Sequence, residues 1–338
     1  MKRYLVALAL GTFLFGGAAN AADKTHVNFI MDWAFEGAQA LWPVAAESGC
    51  FANNNLDVKI DRSFGSGDAL GKLASGAYDV GVADFSSLIN YDAAHPDDKI
   101  AAVFVISERS AMSILTLKKY NIAKPQDLAG KRIADQQGEA SRVMFPAFAK
   151  ANNIDPNSVT WVSVAPNLRQ PILIKGEADA AAGHRFTILV GLRALGVKDD
   201  EVTLFPYADW GVRAFGNSVV VKKQWAAAHP DAMRGFLKCT ASAINMSIAN
   251  PRQAITWLKK YNSLIDENGE LQGLDFSNNL AIITDETKKN GLTTFTKERL
   301  DEILTQVSDA MQIKKPAQDD VWDPEYLPPA SDLKLQVQ

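Results

Sequence analysis

The sequence predicts an α/β protein of two lobes joined by two chain crossings. Three observations predict it. Apolar runs of buried-strand type alternate with helix-forming segments from residue 25 to residue 221. A helix–turn–strand unit, Leu73-Ala-Ser-Gly76-Ala-Tyr-Asp79-Val-Gly-Val, has a counterpart one hundred residues on in Ile174-Lys-Gly176-Glu-Ala-Asp179-Ala-Ala-Ala. Two stretches, 100–117 and 217–221, read as strands that pass from one sheet to the other. The length of 338 residues suits about two domains of ordinary size.

The first residues have a different purpose. Met1-Lys2-Arg3 is basic, residues 4–18 are apolar, and Ala19-Asn20-Ala21 is a small-x-small cleavage site. That pattern is a secretory signal peptide over 1–21, with no cysteine at the cleavage site to carry a lipid. A mature protein free in the periplasm is expected. Hydrophobic content of 47% and charged content of 22% are ordinary for a globular chain. The formal charge of −4 argues against a nucleic-acid partner. Cys50 and Cys239 are the only cysteines. In an oxidising compartment they pair, or they remain as two buried thiols. Neither has metal-ligand spacing around it, and no metal or cofactor is expected.

Residues 25–31 form the first strand and hand Asp32, Trp33, Phe35 and Glu36 to the sheet edge where open α/β sheets bind ligands. Trp33 is either a stacking platform or a core bridge. A helix over 38–48 ends at Gly49, and 56–60 is the second strand. Gly65-Ser66-Gly67-Asp68 then opens a helix. Glycines admit close approach there, and free N–H groups at a helix start favour polar or negative atoms. The strand 79–83 delivers Asp84, a helix cap or a ligand contact, to the same edge. Strand 100–106 passes through Ser107, Glu108, Arg109 and Ser110 into strand 113–117, the first crossing.

The second lobe repeats the plan. Pro125–Ala134 reads as a capped turn, a glycine and a strand. Gln137-Gly138-Glu139-Ala140-Ser141-Arg142 opens another helix. Arg142 opposes the helix dipole there, so it either reaches an acid or ligand anion or faces solvent. Strand 178–182 ends in Gly183-His184-Arg185-Phe186, the place equivalent to Asp84-Phe85. His184 has no partners at metal spacing and reads as a hydrogen-bonding or surface residue. Residues 207–216, with Trp210, form an aromatic, charged loop before the second crossing at 217–221. The rest is helical: 224–228, 231–249, 251–261 and an amphipathic helix over 296–313 with Leu300, Ile303, Leu304, Val307 and Met311 on one face. Val321, Trp322, Tyr326 and Leu327 are expected to pack the tail down. The lobes are therefore expected to be 22–108 with 217–338, and 109–216.

Together Met31-Asp32-Trp33, Phe64-Gly65-Ser66-Gly67, Leu73-x-x-Gly76-x-x-Asp79-Val80-Gly81, Pro125–Ile133 and Ile174–Ala180 resemble one family. It is the NMT1/THI5-like group of ABC-importer substrate-binding proteins, which includes binders of taurine, alkanesulfonates, nitrate and thiamin-precursor pyrimidines. The resemblance covers about residues 25 to 260. It implies a type II periplasmic binding protein fold, and a monomer that closes on a small-molecule ligand and presents it to a permease in the inner membrane. A sensor-associated binding protein is the alternative use of the same fold.

Carried over position by position, the resemblance points to Trp33, Gly65, Ser66, Gly67, Asp84, Gly138, Ser141 and Phe186. Arg109, Arg142, Arg185 and Trp210 are added from this sequence. N–H groups near Gly67 and Ser141 would hold an oxygen, an aromatic ring would stack, and an Arg would clamp an acid group. Pyrimidine-type members continue the Asp-Trp loop with Pro-Asn and a His. Here Ala34-Phe35-Glu36-Gly37 follows, and Glu36 is placed to meet an amine. Enzymes of the group carry a cysteine-rich motif that is absent here, and no catalytic residues are expected. A sulfonate, a carboxylate and a nitrogen heterocycle remain open as ligands.

Overall fold

The computed structural model describes residues 24–337, so the expected signal peptide at 1–21 lies outside the described residues. Ten strands form two mixed five-stranded sheets. They are β1 (Thr25–Met31), β2 (Leu56–Arg62), β3 (Val80–Asp84), β4 (Ile100–Val105), β5 (Met112–Leu117), β6 (Arg132–Asp135), β7 (Thr160–Ser163), β8 (Ala180–His184), β9 (Val202–Pro206) and β10 (Asn217–Lys222). The first sheet runs β2-β1-β3-β10-β4 and the second β7-β6-β8-β5-β9. In the first, β1 is parallel to β2 and β3, and β10 is antiparallel to β3 and β4. In the second, β6 is parallel to β7 and β8, and β5 is antiparallel to β8 and β9. The two sheets have one topology, and in each the antiparallel strand is the one delivered by a crossing.

The repeated motif has a physical basis. Helices Ser66–Ala74 and Arg169–Lys175 each run into a left-handed glycine, Gly76 (φ +77°) and Gly176 (φ +79°). Only glycine enters that conformation without steric cost. The chain then turns so that Asp79 accepts from the Asn28 N–H at 2.8 Å and returns its own N–H to the Asn28 carbonyl at 2.9 Å. Asp179 does the same with Arg132, at 2.9 and 2.8 Å. Each aspartate therefore sets the register of a parallel strand.

Around the first sheet, Phe236 packs its ring against those of Phe29, Trp42 and Phe51 at 5.2–5.8 Å, and Phe29 meets Trp42 at 4.4 Å. Cys50 and Cys239 are disulfide-bonded, with Cα atoms 5.7 Å apart, and tie helix Cys50–Asn53 to helix Pro230–Ala249. The helix at 38–48 is shorter than the sequence predicts. A 3-10 turn occupies Gly37–Gln39 and the α-helix is Leu41–Glu47; the backbone of Gly37 lies against the Glu270 carbonyl, where a side chain has no room. The second jaw helix is likewise divided into Ala140–Val143 and Phe145–Ala151, with Pro146 restarting it.

Helix Lys297–Met311 starts where Thr296 caps the Arg299 N–H at 3.2 Å. Leu300, Ile303, Leu304 and Val307, at helical spacing, are buried as the sequence predicts, whereas Met311 is half-buried. This helix packs on Phe85–Ala94 from one lobe and Phe145–Ala151 from the other. It straps both at the hinge, where Arg299 pairs with Glu108 and Gln306 takes the Arg213 N–H at 2.7 Å. The tail folds back as expected, with Trp322 bridging Ala102 and Val321 and Tyr326 buried.

Candidate functional site

The carboxyl ends of β1, β3, β6 and β8 face one another across a cleft, and the loops that follow them build its walls. Ser66, at the start of the glycine-turn helix, accepts the Asp84 N–H on its Oγ at 3.0 Å. Asp84 Oδ1 accepts from the N–H groups of Ser86 and Ser87 at 2.9 and 3.4 Å, which makes it a helix cap. Its Oδ2 is buried and takes no hydrogen bond. Asp32 is held on both oxygens, by Gln39 Nε2 at 2.8 Å and Asn217 Nδ2 at 2.9 Å.

Opposite, Glu139 receives Arg169 Nη1 on both carboxylate oxygens at 2.9 Å, and the same nitrogen donates to the Ala182 carbonyl at 2.5 Å. Arg169 is 1% exposed, and its guanidinium stands 5.5 Å from the ring of Trp33 on the other lobe. Buried charge requires such pairing.

The two lobes touch directly. Gly67 N–H donates to the Gly138 carbonyl at 3.2 Å, Gln136 donates to the Phe64 carbonyl, and Thr187 Oγ1 donates to Glu36 Oε1 at 2.6 Å. Arg193 reaches Gln272 at 2.6 Å. Inside these contacts lies a chamber of about 20 Å³, room for roughly one water, lined by Asp32, Trp33, Gly65, Ser66, Glu139 and His184, among others. A second chamber of the same size lies beyond His184, against Asn217 and Phe186. Outside Glu36 and Thr187 the cleft opens into a groove of about 670 Å³, walled by Trp33, Phe186, Gln170, Val190, Asp266 and Glu270. That volume is in the range of small-molecule sites.

Burial governs the charges. It pushes the carboxyl of Glu36 up to about 8, of Asp84 to about 7 and of Asp32 to about 6. Glu139 is raised by burial and held back by Arg169. His184 is pushed down to about 4 by burial and by Arg169, so it is neutral at physiological pH. Several polar atoms of this region are buried without partners: Asp84 Oδ2, Asn217 Oδ1, Ser141 Oγ, and the Nε of Arg169 and of Arg185. Such groups are costly unless something else satisfies them.

The sequence-derived candidates fall into four sets. Trp33, Glu36, Gly65, Ser66 and Phe186 line the chambers or the groove. Gly67 and Gly138 form the contact between the jaws, so the N–H assigned to a ligand oxygen meets a carbonyl instead. Asp84, Ser141 and Arg185 are buried, Asp84 at the end of β3 and the other two in the first turns of helices Ala140–Val143 and Arg185–Ala194. The remaining three are occupied within the second lobe or at the hinge. Arg142 pairs with Asp135 at 3.2 Å and Ser163 at 2.9 Å and lies 5.1 Å from the Trp161 ring. Trp210 packs edge-on to Phe205 at 5.9 Å. Arg109 pairs with Asp209 beside the hinge. Asp32, Glu139, Arg169, His184, Thr187 and Asn217 belong to the site and were not among the candidates. Asp32 and Glu139 stand inside motifs already singled out. Arg169 follows an ordinary-looking proline turn and offered no signal.

Two lobes of one topology, two crossings and a polar cleft between facing strand ends define the periplasmic-binding-protein class of fold. The alkanesulfonate-binding protein SsuA of Xanthomonas axonopodis pv. citri, solved with MOPS bound, superposes with a TM-score of 0.69 over 91% of this chain and 99% of its own, at 16% identity. The nitrate-binding protein NrtA of Synechocystis PCC 6803 gives a TM-score of 0.69 over 90% and 87% of the two chains, at 12% identity. The family model described as NMT1/THI5 like matches residues 40–254, and the chain belongs to that family. Among curated proteins, the taurine-binding periplasmic protein of Escherichia coli K12 is 30% identical over 224 residues, a match spanning 64% of this chain and 65% of that protein. A formylaminopyrimidine-binding protein of Halalkalibacterium halodurans is 21% identical over 237 residues, 69% of each chain.

Proposed function

We propose that the protein is an extracytoplasmic solute-binding protein that delivers a small organic solute to an ABC permease in the inner membrane. The solute is a sulfonate, a carboxylate or a nitrogen heterocycle. The moving bodies are residues 22–108 with 217–338, and residues 109–216. A ligand that touches both only when they meet stabilises the closed form and shifts the population toward it. The observation that carries this reading is the set of buried, unpartnered polar atoms at the strand ends of both lobes, beside a groove of ligand size. The disulfide between Cys50 and Cys239 supports an oxidising compartment. Family membership supports transport binding rather than catalysis.

Binding only the native state raises stability, so purified protein is expected to melt higher with its solute present. Screening sulfonates, carboxylates, amines and pyrimidines by thermal shift tests this. Turnover of any of them, with no stabilisation by any, would replace binding with catalysis.

A further inference from the structure

The acids and bases that face the solute are unequal in number. Among the described residues the acids at the chamber and the groove mouth are, from the first lobe, Asp32 and Glu36, neither of them in an ion pair, and, from the second, Glu139, which is paired with Arg169. The groove wall adds Asp266 and Glu270. Its one arginine, Arg193, is already held by Asp199 and Gln272. Arg185 is buried and lines neither chamber nor the groove. His184 carries no charge to offset the acids.

Two further observations point the same way. Asn217 Oδ1, on the wall of the second chamber, is an acceptor buried without a donor among the described residues. The rings of Trp33 and Phe186 line the groove beside Glu36, and Trp33 already lies near one cation, Arg169. Acids beside aromatic rings attract cations through both charge and ring quadrupole. A cation displaces the proton that burial holds on Glu36 and gains an ion pair, whereas a bare anion gains none.

We propose that the solute carries a protonated nitrogen, an ammonium, amidinium or protonated heterocycle, received by Glu36 and the neighbouring acids against Trp33 and Phe186. The proposal rests on the solute-binding reading above and narrows it. Among the described residues the groove wall holds no unpaired cation, so a simple anion lacks a partner there, while a protonated nitrogen has Glu36. In the arrangement described, Thr187 donates to Glu36 at 2.6 Å, the hydrogen bond that the solute nitrogen would replace.

The test uses matched pairs differing in the nitrogen: 2-aminoethanesulfonate against ethanesulfonate, and benzamidine against benzoate, with nitrate as a bare anion. Melting temperature and calorimetric affinity are read for each, and any small molecule released on denaturing the purified protein is identified by mass spectrometry. The nitrogen-bearing member is expected to bind at least about tenfold tighter, the size of a lost charged hydrogen bond. Glu36→Gln is expected to erase that preference while circular dichroism stays unchanged. A released molecule with a basic nitrogen supports the proposal even where no pair binds. Equal or tighter binding of the nitrogen-free member, or release of a plain anion, overturns the solute class and leaves solute binding standing. No shift with any compound and no released molecule overturns both.

Discussion

Gly67 and Gly138 meet backbone to backbone across the cleft. The Gly67 N–H donates to the Gly138 carbonyl at 3.2 Å, and a Cβ on Gly67 would stand 3.1 Å from that oxygen. These glycines let two jaws approach more closely than side chains allow. Gly67 lies in the first turn of a helix, with no positive φ to preserve. Gly67→Val is therefore expected to leave the melting temperature of the empty protein within a few degrees. The same change is expected to weaken solute affinity by at least about tenfold, since repacking a close contact costs about 1–3 kcal/mol. Affinity equal to wild type would show that the jaws need not meet.

Trp33 is half-buried and shared between the chamber and the groove. Trp33→Ala is expected to lower solute affinity strongly, with a melting temperature that falls by only a few degrees. Unchanged affinity with a large loss of stability would make Trp33 a core residue instead.

The buried pair of Arg169 and Glu139 supports the second lobe from within. Removing one partner strands the other, which costs about 3–5 kcal/mol. Arg169→Ala is thus expected to unfold more readily in urea than the double change Arg169→Met with Glu139→Gln, which leaves no charge behind. If the single change is the milder one, the pair contributes little to folding.

The disulfide joins residues 189 apart in sequence, between two helices on the first sheet. Replacing both cysteines by serine is expected to destabilise the protein by about 2–5 kcal/mol, by freeing the unfolded chain. Guanidinium melts with and without reductant measure it. No difference between them would show that the pairing adds nothing to stability.

Stability should also depend on pH. Burial raises Glu36, Asp84 and Asp32 from ordinary carboxylate values to about 8, 7 and 6. The folded protein then binds these protons more tightly than the unfolded chain. Their contribution is complete below pH 4 and is lost as pH rises toward 8. His184, lowered from 6.5 to about 4, acts in the opposite sense: its contribution is present above 6.5 and lost as pH falls toward 4. Between pH 8.5 and 6.5 the carboxyls govern, and the melting temperature of the empty protein is expected to rise as pH falls. Glu36→Gln and Asp84→Asn should each flatten that rise. A wild-type melting temperature that stays level or drops over this interval would place these groups in water rather than in a dry cleft.

Much of this architecture is written locally. Gly76 with Asp79 and Gly176 with Asp179 announce the two copies of one unit, because a left-handed turn and a register-setting carboxylate need particular residues at a particular spacing. The crossings were legible because strand 100–105 is followed within a few residues by strand 112–117, too close for a helical return to the same sheet. The apolar face of helix Lys297–Met311 was legible from its period of three and four residues. The cavity-lining residues near such motifs, Trp33, Glu36, Gly65, Ser66 and Phe186, could be named from them.

The rest depended on residues far apart in the chain. The pairing of Cys50 with Cys239 required two helices to pack side by side, a matter of Cα distance that spacing along the chain does not encode. Arg142, Arg109 and Trp210 stood at promising strand ends, yet Asp135, Asp209 and Phe205 engage them first. Arg169 and His184 entered the site because folding stripped water from them and set Glu139 and Trp33 nearby. Local pattern is enough to specify helices, strands and turns, since those rest on backbone geometry and side-chain period. The charge of the cleft rests on which side chains lose their water together, and that follows from the meeting of the two lobes.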